Sequence, residues 1–292
     1  MSNLTEKLFR AMDRAKGDRE FKDEAELQAF MNQFVGVNVD DLVAGQELGP
    51  EDEAQELAMD AREAPSKEVA LELLRRAVTL DPKCCDALAQ LAYLEYTTPA
   101  ELIERLRAAT HQEEARLGRD CFKENKGHFW GVQETRPFMR ALFGQAEALA
   151  AAGQLLEATK LFSRLIQLNP GDNQGVRMAL GPLMLQLGDT EGYRRLRNKF
   201  KKSPDLPLLW CDALEAYLSG ALGEAVLRVK KAHDANGYVL AYLKGHRKLP
   251  RHLPTSYQLG SPEQAILAAA HLLPAWGHYP FAVKWLEGVR TR

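Results

Sequence analysis

The sequence predicts an all-α protein, a right-handed α-solenoid built from degenerate helix-turn-helix repeats. Three observations carry this. Helix formers dominate and runs of β-branched residues are few. Apolar residues recur at spacings of three and four, which places them on one helical face. A helix–Gly–helix–Pro unit recurs with a period of about 34 residues.

The clearest unit runs from Met139 to Asn173. Leu142, Ala146 and Leu149 share one face of its first helix, and Gly153 ends that helix because glycine adopts the left-handed cap conformation cheaply. Ala158, Phe162 and Leu165 share the buried face of its second helix. Pro170 stops that helix, and Asp172 or Asn173 can cap the next one. The following unit ends at Pro204; Gly188 turns its chain, Leu196 takes the place of Phe162, and Gly181-Pro182 is expected to bend or restart its first helix. A third unit sets Ala213, Ala225, Val229 and Ala232 in the same phase. An earlier one, about 51–82, holds Leu57, Ala58, Ala70, Leu74 and Ala77 and closes at Asp81-Pro82.

Taken in order, residues 3–16 predict an amphipathic helix with Leu4, Leu8, Phe9 and Met12 on one side. Asp23 to Glu26 opens a second helix carrying Leu27, Phe30, Met31 and Phe34. These two helices form an N-terminal cap for the open end of the repeats, or else a partner-binding arm. Gly36 to Pro50 reads as a linker. The domain organisation expected is therefore a helical cap or arm plus linker over 1–50 and repeats with C-terminal capping helices over 51–292. Leu88, Leu91 and Ala92 face inward on the helix after Cys84; Thr98 caps the next helix with Pro99 at its first position, and that helix runs to about Leu117. Residues 118–137 break the period and lack helical periodicity, as insertions in repeat proteins do at binding loops. Leu249 to Pro254 forms an extended strap. Ser261-Pro262-Glu263-Gln264 starts a helix to about Leu273, Pro274 ends or kinks it, and Trp276 and Trp285 anchor a last segment.

Charged residues make up 27% and the net charge is -2, so no overall field favours nucleic acid or a membrane. No apolar run approaches the roughly 18 residues of a transmembrane helix, and no apolar signal core opens the chain, so a cytoplasmic protein is expected. Cys84, Cys85, Cys121 and Cys211 lack zinc spacing and read as reduced, packed thiols.

The repeat pattern resembles the tetratricopeptide family, with Ala146, Ala158, Phe162 and Pro170 at its small, small, aromatic and terminal-proline positions. The stretches Gly127-His128-Phe129-Trp130-Gly131, Glu134 to Arg140 and Asn169 to Arg177 resemble bacterial tetratricopeptide-repeat proteins of unassigned function, over about 50–292. Tyr242 to Pro250, Gly260 to Ala265 and Trp276 to Leu286 are similar to the C-terminal part of the eukaryotic suppression-of-tumorigenicity-7 family. That family is membrane-associated, and its location does not transfer to a chain without a membrane segment. Neither resemblance implies a reaction.

No nucleophile elbow, metal spacing or phosphate-cradling glycine loop occurs, so no catalytic centre, metal or cofactor is expected. Helical repeats line their concave face with first-helix residues, where Asn and Arg clamp peptide backbone or carboxylate. The expected function is a non-catalytic scaffold for a protein or peptide segment. Its expected contacts are His128, Trp130, Glu134 and Arg136 in the irregular loop, and Asn173 and Arg177 on the next groove helix. Alanine at Arg136 or Arg177 is then expected to weaken a complex with little change in stability. The alternative is nucleic-acid or anionic-ligand binding through basic clusters 194–202 and 244–252.

Overall fold

A computed structural model describes residues 3–291; Met1, Ser2 and Arg292 lie outside them. Sixteen α-helices and one short 3-10 turn make up the regular structure, with no strand among the described residues. The chain divides into two compact units, Met1–Ala152 and Gly153–Arg292, with the division at the Gly153 turn.

Capping chemistry starts the helices where the sequence places it. Ser66 Oγ accepts from the Val69 amide at 3.3 Å, Thr98 Oγ1 from Glu101 at 3.2 Å and Ser261 Oγ from Gln264 at 3.2 Å. Each satisfies an amide that the first turn leaves without a partner. Asp172 serves the same end: Val176 and Arg177 donate their amides to its carboxylate at 2.7 and 3.0 Å.

The first unit holds α1 (Asn3–Lys16), α2 (Glu24–Asn32), α3 (Val39–Ala44), α4 (Pro50–Arg62), α5 (Lys67–Leu80), α6 (Cys85–Glu95), α7 (Pro99–Glu124) and α8 (Arg136–Ala151). Helices α4 and α5 pair, α6 and α7 pair, and α4, α6 and α8 pack in sequence. The alanines set this spacing: Ala54, Ala58, Ala70, Ala77 and Ala87 surround Leu74 in one apolar cluster. On α6 the buried positions are Cys85, Asp86, Ala87, Ala89 and Ala92, whereas Leu88 and Leu91 are only half-buried. Small residues let α6 sit close between α4 and α8, and the leucines fill the flanks.

The expected linker contains helix α3. The insertion also has more structure than its composition predicts. Gly118, at φ 72 and ψ 167, breaks α7 where the predicted helix ends, but the chain resumes helix as far as Glu124. A 3-10 turn, Phe129–Gly131, follows. Phe122, Phe129 and Phe138 then pack together with ring centroids 4.7 to 6.3 Å apart; Phe138 meets the other two rings edge to face, and Phe122 and Phe129 are tilted to one another. These aromatic contacts hold the irregular segment against α8.

The second unit holds α9 (Leu155–Leu168), α10 (Val176–Gln186), α11 (Thr190–Lys199), α12 (Leu206–Leu218), α13 (Leu222–Ala235), α14 (Val239–Leu243), α15 (Pro262–Gly277) and α16 (Pro280–Glu287). Helix α10 runs through Pro182 without a break. A Cβ on Gly181 would lie 2.9 Å from Leu208 Cδ2, so glycine there allows α10 and α12 to close together. Of the two expectations for Pro274, an end or a kink, the end does not occur, because α15 continues to Gly277. Its packing explains this: α15 lies against both α10 and α12, and Trp276 meets Trp210 edge to face at 6.2 Å. Both indoles are fully buried, at the centre of an apolar cluster with Leu208, Leu214, Ala269 and Leu272. Trp285 is half-buried against Tyr217, at 4.9 Å between ring centroids.

Among the described residues, no helix is long and apolar enough to cross a membrane. All four cysteines are free, and Cys84, Cys85 and Cys211 are buried. Burial pushes the Cys84 thiol up to about 12, which keeps it protonated and unreactive at neutral pH.

Candidate functional site

In the first unit, α4, α6 and α8 present a common face, and α1 lies on it. The docked side of α1 carries charged residues beside small and apolar ones. Glu6, Lys7, Ala11 and Met12 are buried, while Leu4 is 55% exposed and Leu8 and Phe9 are half-buried. Of the predicted apolar side only Met12 is fully docked, and the reason lies in α4. Asp52, Glu56 and Asp60 form an acidic row at i, i+4 and i+8 along α4, and Lys7, Arg10 and Arg14 form a basic row along α1. The two helices run antiparallel and the rows interlock. Lys7 pairs with Asp60, Arg10 with Asp52 at 3.1 Å and Arg14 with Glu56 at 3.2 Å. Asn3 Nδ2 donates to the Met59 carbonyl at 2.7 Å, and Gln46 Nε2 to the Ala11 carbonyl at 2.9 Å.

The far side of the groove has the opposite polarity. Arg140 Nη1 of α8 donates to both carboxylate oxygens of Glu6 at 3.0 Å, and Arg136 Nη1 lies 3.9 Å from Glu6 Oε2. Arg140 Nε also donates to Asp86 Oδ1 of α6 at 2.9 Å. Arg62 pairs with Asp86 at 2.6 Å and Gln55 Nε2 donates to it at 2.7 Å. Asp86 is therefore a hub linking α4, α6 and α8 beneath α1. Burial acts to raise its pKa, but the Arg140 and Arg62 charges outweigh that and hold it well below the usual carboxylate range. Glu56 has the opposite balance: burial raises it more than Arg14, Arg10 and Lys7 lower it.

The loop residues expected to bind a partner border this groove unequally. Arg136 is only 3% exposed; its Nε donates to the Trp130 carbonyl at 2.9 Å and its guanidinium lies 5.6 Å from the Trp130 ring centroid. Burial depresses its pKa, and Glu6 acts the other way. Glu134 is exposed and close enough to α1 to act on Asp13, whose pKa is raised by burial first and by the Glu134 charge second. His128 is exposed and Trp130 half-buried. The groove stays open at one end, where a cavity of about 350 Å³ lies among Arg10, Asp52, Gln55, Arg116 and Glu134.

Asn173 and Arg177 belong to the second unit. Asn173 is exposed. Arg177 is a crosslink: its Nη1 bonds Asp172 at 2.8 Å, its Nε bonds Asp205 at 2.5 Å, and its guanidinium sits 5.3 Å from the Phe200 ring centroid. Both predicted arginines are thus tied into contacts within their own unit. In this unit the face shared by α10 and α12 is covered by α15, through apolar contacts.

The three arginines of the basic run 194–202 are taken up by ion pairs on α12 and α11, whereas its lysines are not. Arg194 meets Glu215 at 2.7 Å, Arg197 meets Asp212 at 3.0 Å, and Arg195 meets Glu191 at 3.8 Å. In the second cluster, 244–252, Lys244 Nζ reaches the Glu287 carbonyl at 3.5 Å. Among the described residues no group of His, Cys, Asp and Glu is arranged to hold a metal ion. No known family model matches the chain, and no curated protein is significantly similar to it.

Sequence reasoning missed Glu6, Lys7, Arg10, Arg14, Asp86 and Arg140. The signal was present as two complementary charge rows at helical spacing, on residues 7–14 and 52–60. An apolar-moment reading of α1 passes over it, because it ranks faces by hydrophobicity alone.

Proposed function

We propose that this chain is a non-catalytic scaffold of tetratricopeptide-like hairpins whose first unit holds a helical segment in the charged groove over α4, α6 and α8. The observation that carries this reading is α1, which occupies that groove as a resident helix. Its contacts describe what the groove selects: basic residues at i, i+3 or i+4 and i+7 against the α4 acids, and one acid against Arg136 and Arg140. The period of about 34 residues and the serial packing of α4, α6 and α8 support the solenoid architecture. His128, Trp130 and Glu134 then serve as rim contacts at the loop, and Arg136 as an anchor. In the second unit Asn173 is the exposed candidate, and Arg177 acts by holding the turn that displays it. The reading takes the chain to be cytoplasmic and its ligand to be a protein or peptide segment.

The test is a binding measurement with a labelled synthetic peptide of residues 3–16. The host is the full chain carrying Lys7→Glu, Arg10→Glu and Arg14→Glu, which repel its own α1 from the α4 acids. The peptide should bind this variant at least tenfold more tightly than wild type, and added salt should abolish the binding. A variant with native circular dichroism that fails to bind the peptide would remove the groove from the function.

A further inference from the structure

The second unit contains a cleft that neither its core nor the proposed scaffold role explains. Helix α13 packs closely along α12, but α11 stands off from α13, and the gap is a cavity of about 540 Å³ floored by α12. That volume lies in the range of small-molecule sites. Five cations line it, Arg194, Arg197, Lys201, Arg228 and Lys231, against three carboxylates, Asp212, Glu215 and Glu224.

The carboxylates do not simply neutralise the cations; they fix them. Glu215 is buried and receives Arg194 on one oxygen at 2.7 Å and Arg228 on the other at 2.9 Å. Ser219 Oγ donates to Glu215 at 2.9 Å and accepts from Arg194 at 2.7 Å. Asp212 receives Arg197 Nε on both oxygens at 3.0 Å, and the buried Tyr193 hydroxyl donates to it at 2.6 Å. Arg228 is held further by Glu224 at 2.8 Å and by the Asp212 carbonyl at 3.0 Å. Each guanidinium is thus set on a rigid helix before any ligand arrives, the arrangement that lowers the cost of binding. Burial acts to raise the Glu215 pKa, but Ser219, Arg194 and Arg228 prevail, so it stays ionised.

Lys201 and Lys231 complete the lining, and among the described residues neither ammonium has a hydrogen-bond or ion-pair partner. Three fixed ion pairs plus two free ammonium groups leave the cleft about two charges positive. The aliphatic part of the wall comes from Leu209 and Leu227. A single-stranded nucleic acid would need exposed stacking rings along such a groove. Tyr193, the aromatic residue in the lining, is buried and tied to Asp212 and the Leu208 carbonyl.

We infer that the cleft between α11 and α13 binds a small polyanion, a molecule bearing two or more phosphoryl or carboxylate charges, with Lys201 and Lys231 supplying the attraction and Arg194 and Arg228 the directed N–H groups. This stands independently of the groove on the first unit.

Calorimetric titration of the full chain tests it, with inorganic pyrophosphate and citrate as the two probes. At low ionic strength one or both should bind with one site per chain. A preference between them separates a phosphoryl ligand from a carboxylate one. Lys201→Ala combined with Lys231→Ala, both exposed positions outside the core, should weaken binding tenfold or more while leaving the circular dichroism unchanged. Lys244→Ala at the end of α14 combined with Arg251→Ala on the strap should leave binding as in wild type. Absence of binding for both probes overturns the inference, as does binding that the first pair of substitutions does not weaken. A labelled single-stranded RNA that binds and is not displaced by pyrophosphate overturns it too, because the site would then be an extended patch.

Discussion

Glu6 and Arg140 meet through two 3.0 Å hydrogen bonds from a single guanidinium nitrogen, joining α1 to α8 across 134 positions of sequence. The same arginine neutralises Asp86 from the other side. Arg140 is therefore the point at which the resident helix and the floor of the groove depend on one another.

Removing it should expose that dependence. Arg140→Ala leaves Asp86 buried with only Arg62 and Gln55, and leaves Glu6 facing the more distant Arg136. Breaking one partner of a buried ion pair costs about 3–5 kcal/mol, because the remaining charge stays desolvated. Urea denaturation should show a loss of this size. Adding Asp86→Ala should cost less than the sum of the two single changes, since the stranded charge is then gone. Strict additivity would mean that the two residues are not coupled.

The pH dependence follows from the same hub. Asp86 has a folded pKa below its ordinary value, so it binds its proton less readily when folded. The stability it contributes is complete above its unfolded pKa of about 3.9 and is lost as pH falls below that toward the folded value. Asp86→Asn should therefore be less stable than wild type at neutral pH, and the gap should shrink as the pH is lowered from about 5 to about 3. A constant gap across that range would contradict the assigned charge state.

Much of this was legible in the sequence, and the exceptions share a cause. Leu142, Ala146, Ala158, Phe162, Leu165, Ala213, Val229 and Ala232 are buried as the repeat phase requires, because apolar spacing reports directly on a helix packed along one face. Thr98 and Ser261 cap as predicted because capping is local. The orientation of α1 was not read, since it depends on acids some forty positions away and opposes the local apolar moment. The sequence left open whether Pro182 bends or restarts α10 and whether Pro274 kinks or ends α15; both helices continue. Both helices are held by contacts with α12 that local propensity does not contain. Of the candidate site, Arg136 stood out by its place in the loop, whereas Arg140, one turn later, looked like an ordinary helix charge.

Two helices cover groove-like faces by different physics, and salt should separate them. Helix α1 is held by ion pairs, two of them to the half-exposed Asp52 and Asp60, whereas α15 is held by Trp276, Leu272, Ala268 and Ala269 in an apolar cluster. Raising NaCl from about 0.05 M to about 0.5 M shortens the screening length and weakens partly exposed pairs, but leaves apolar burial intact. Hydrogen exchange should then quicken across residues 3–16 and stay unchanged across 262–277. Equal responses in the two helices would remove the distinction.

Trp276 gives the complementary measure of the apolar side. Its ring is fully buried against Trp210, between α12 and α15. Truncation to alanine removes that contact and leaves a void, at a cost of about 3–5 kcal/mol. Trp276→Phe retains most of the volume and should lose much less. Thermal unfolding followed by circular dichroism distinguishes the two, and similar losses would place the ring outside the packing that holds α15.

Arg177 decides between a binding and a holding role in the second unit. Its guanidinium spans Asp172, whose side chain is fully buried, and Asp205 at the start of α12. Asp172 also accepts the first amides of α10 and adopts a positive φ of 51, so the turn relies on its carboxylate keeping these partners. Arg177→Ala should destabilise the chain by about 1–3 kcal/mol, the cost of leaving a buried polar group without its partner. Arg177→Lys keeps the charge but cannot bridge both carboxylates through a planar fork, so it should recover only part of the loss. An alanine variant as stable as wild type would return Arg177 to the set of residues whose role is to meet a partner.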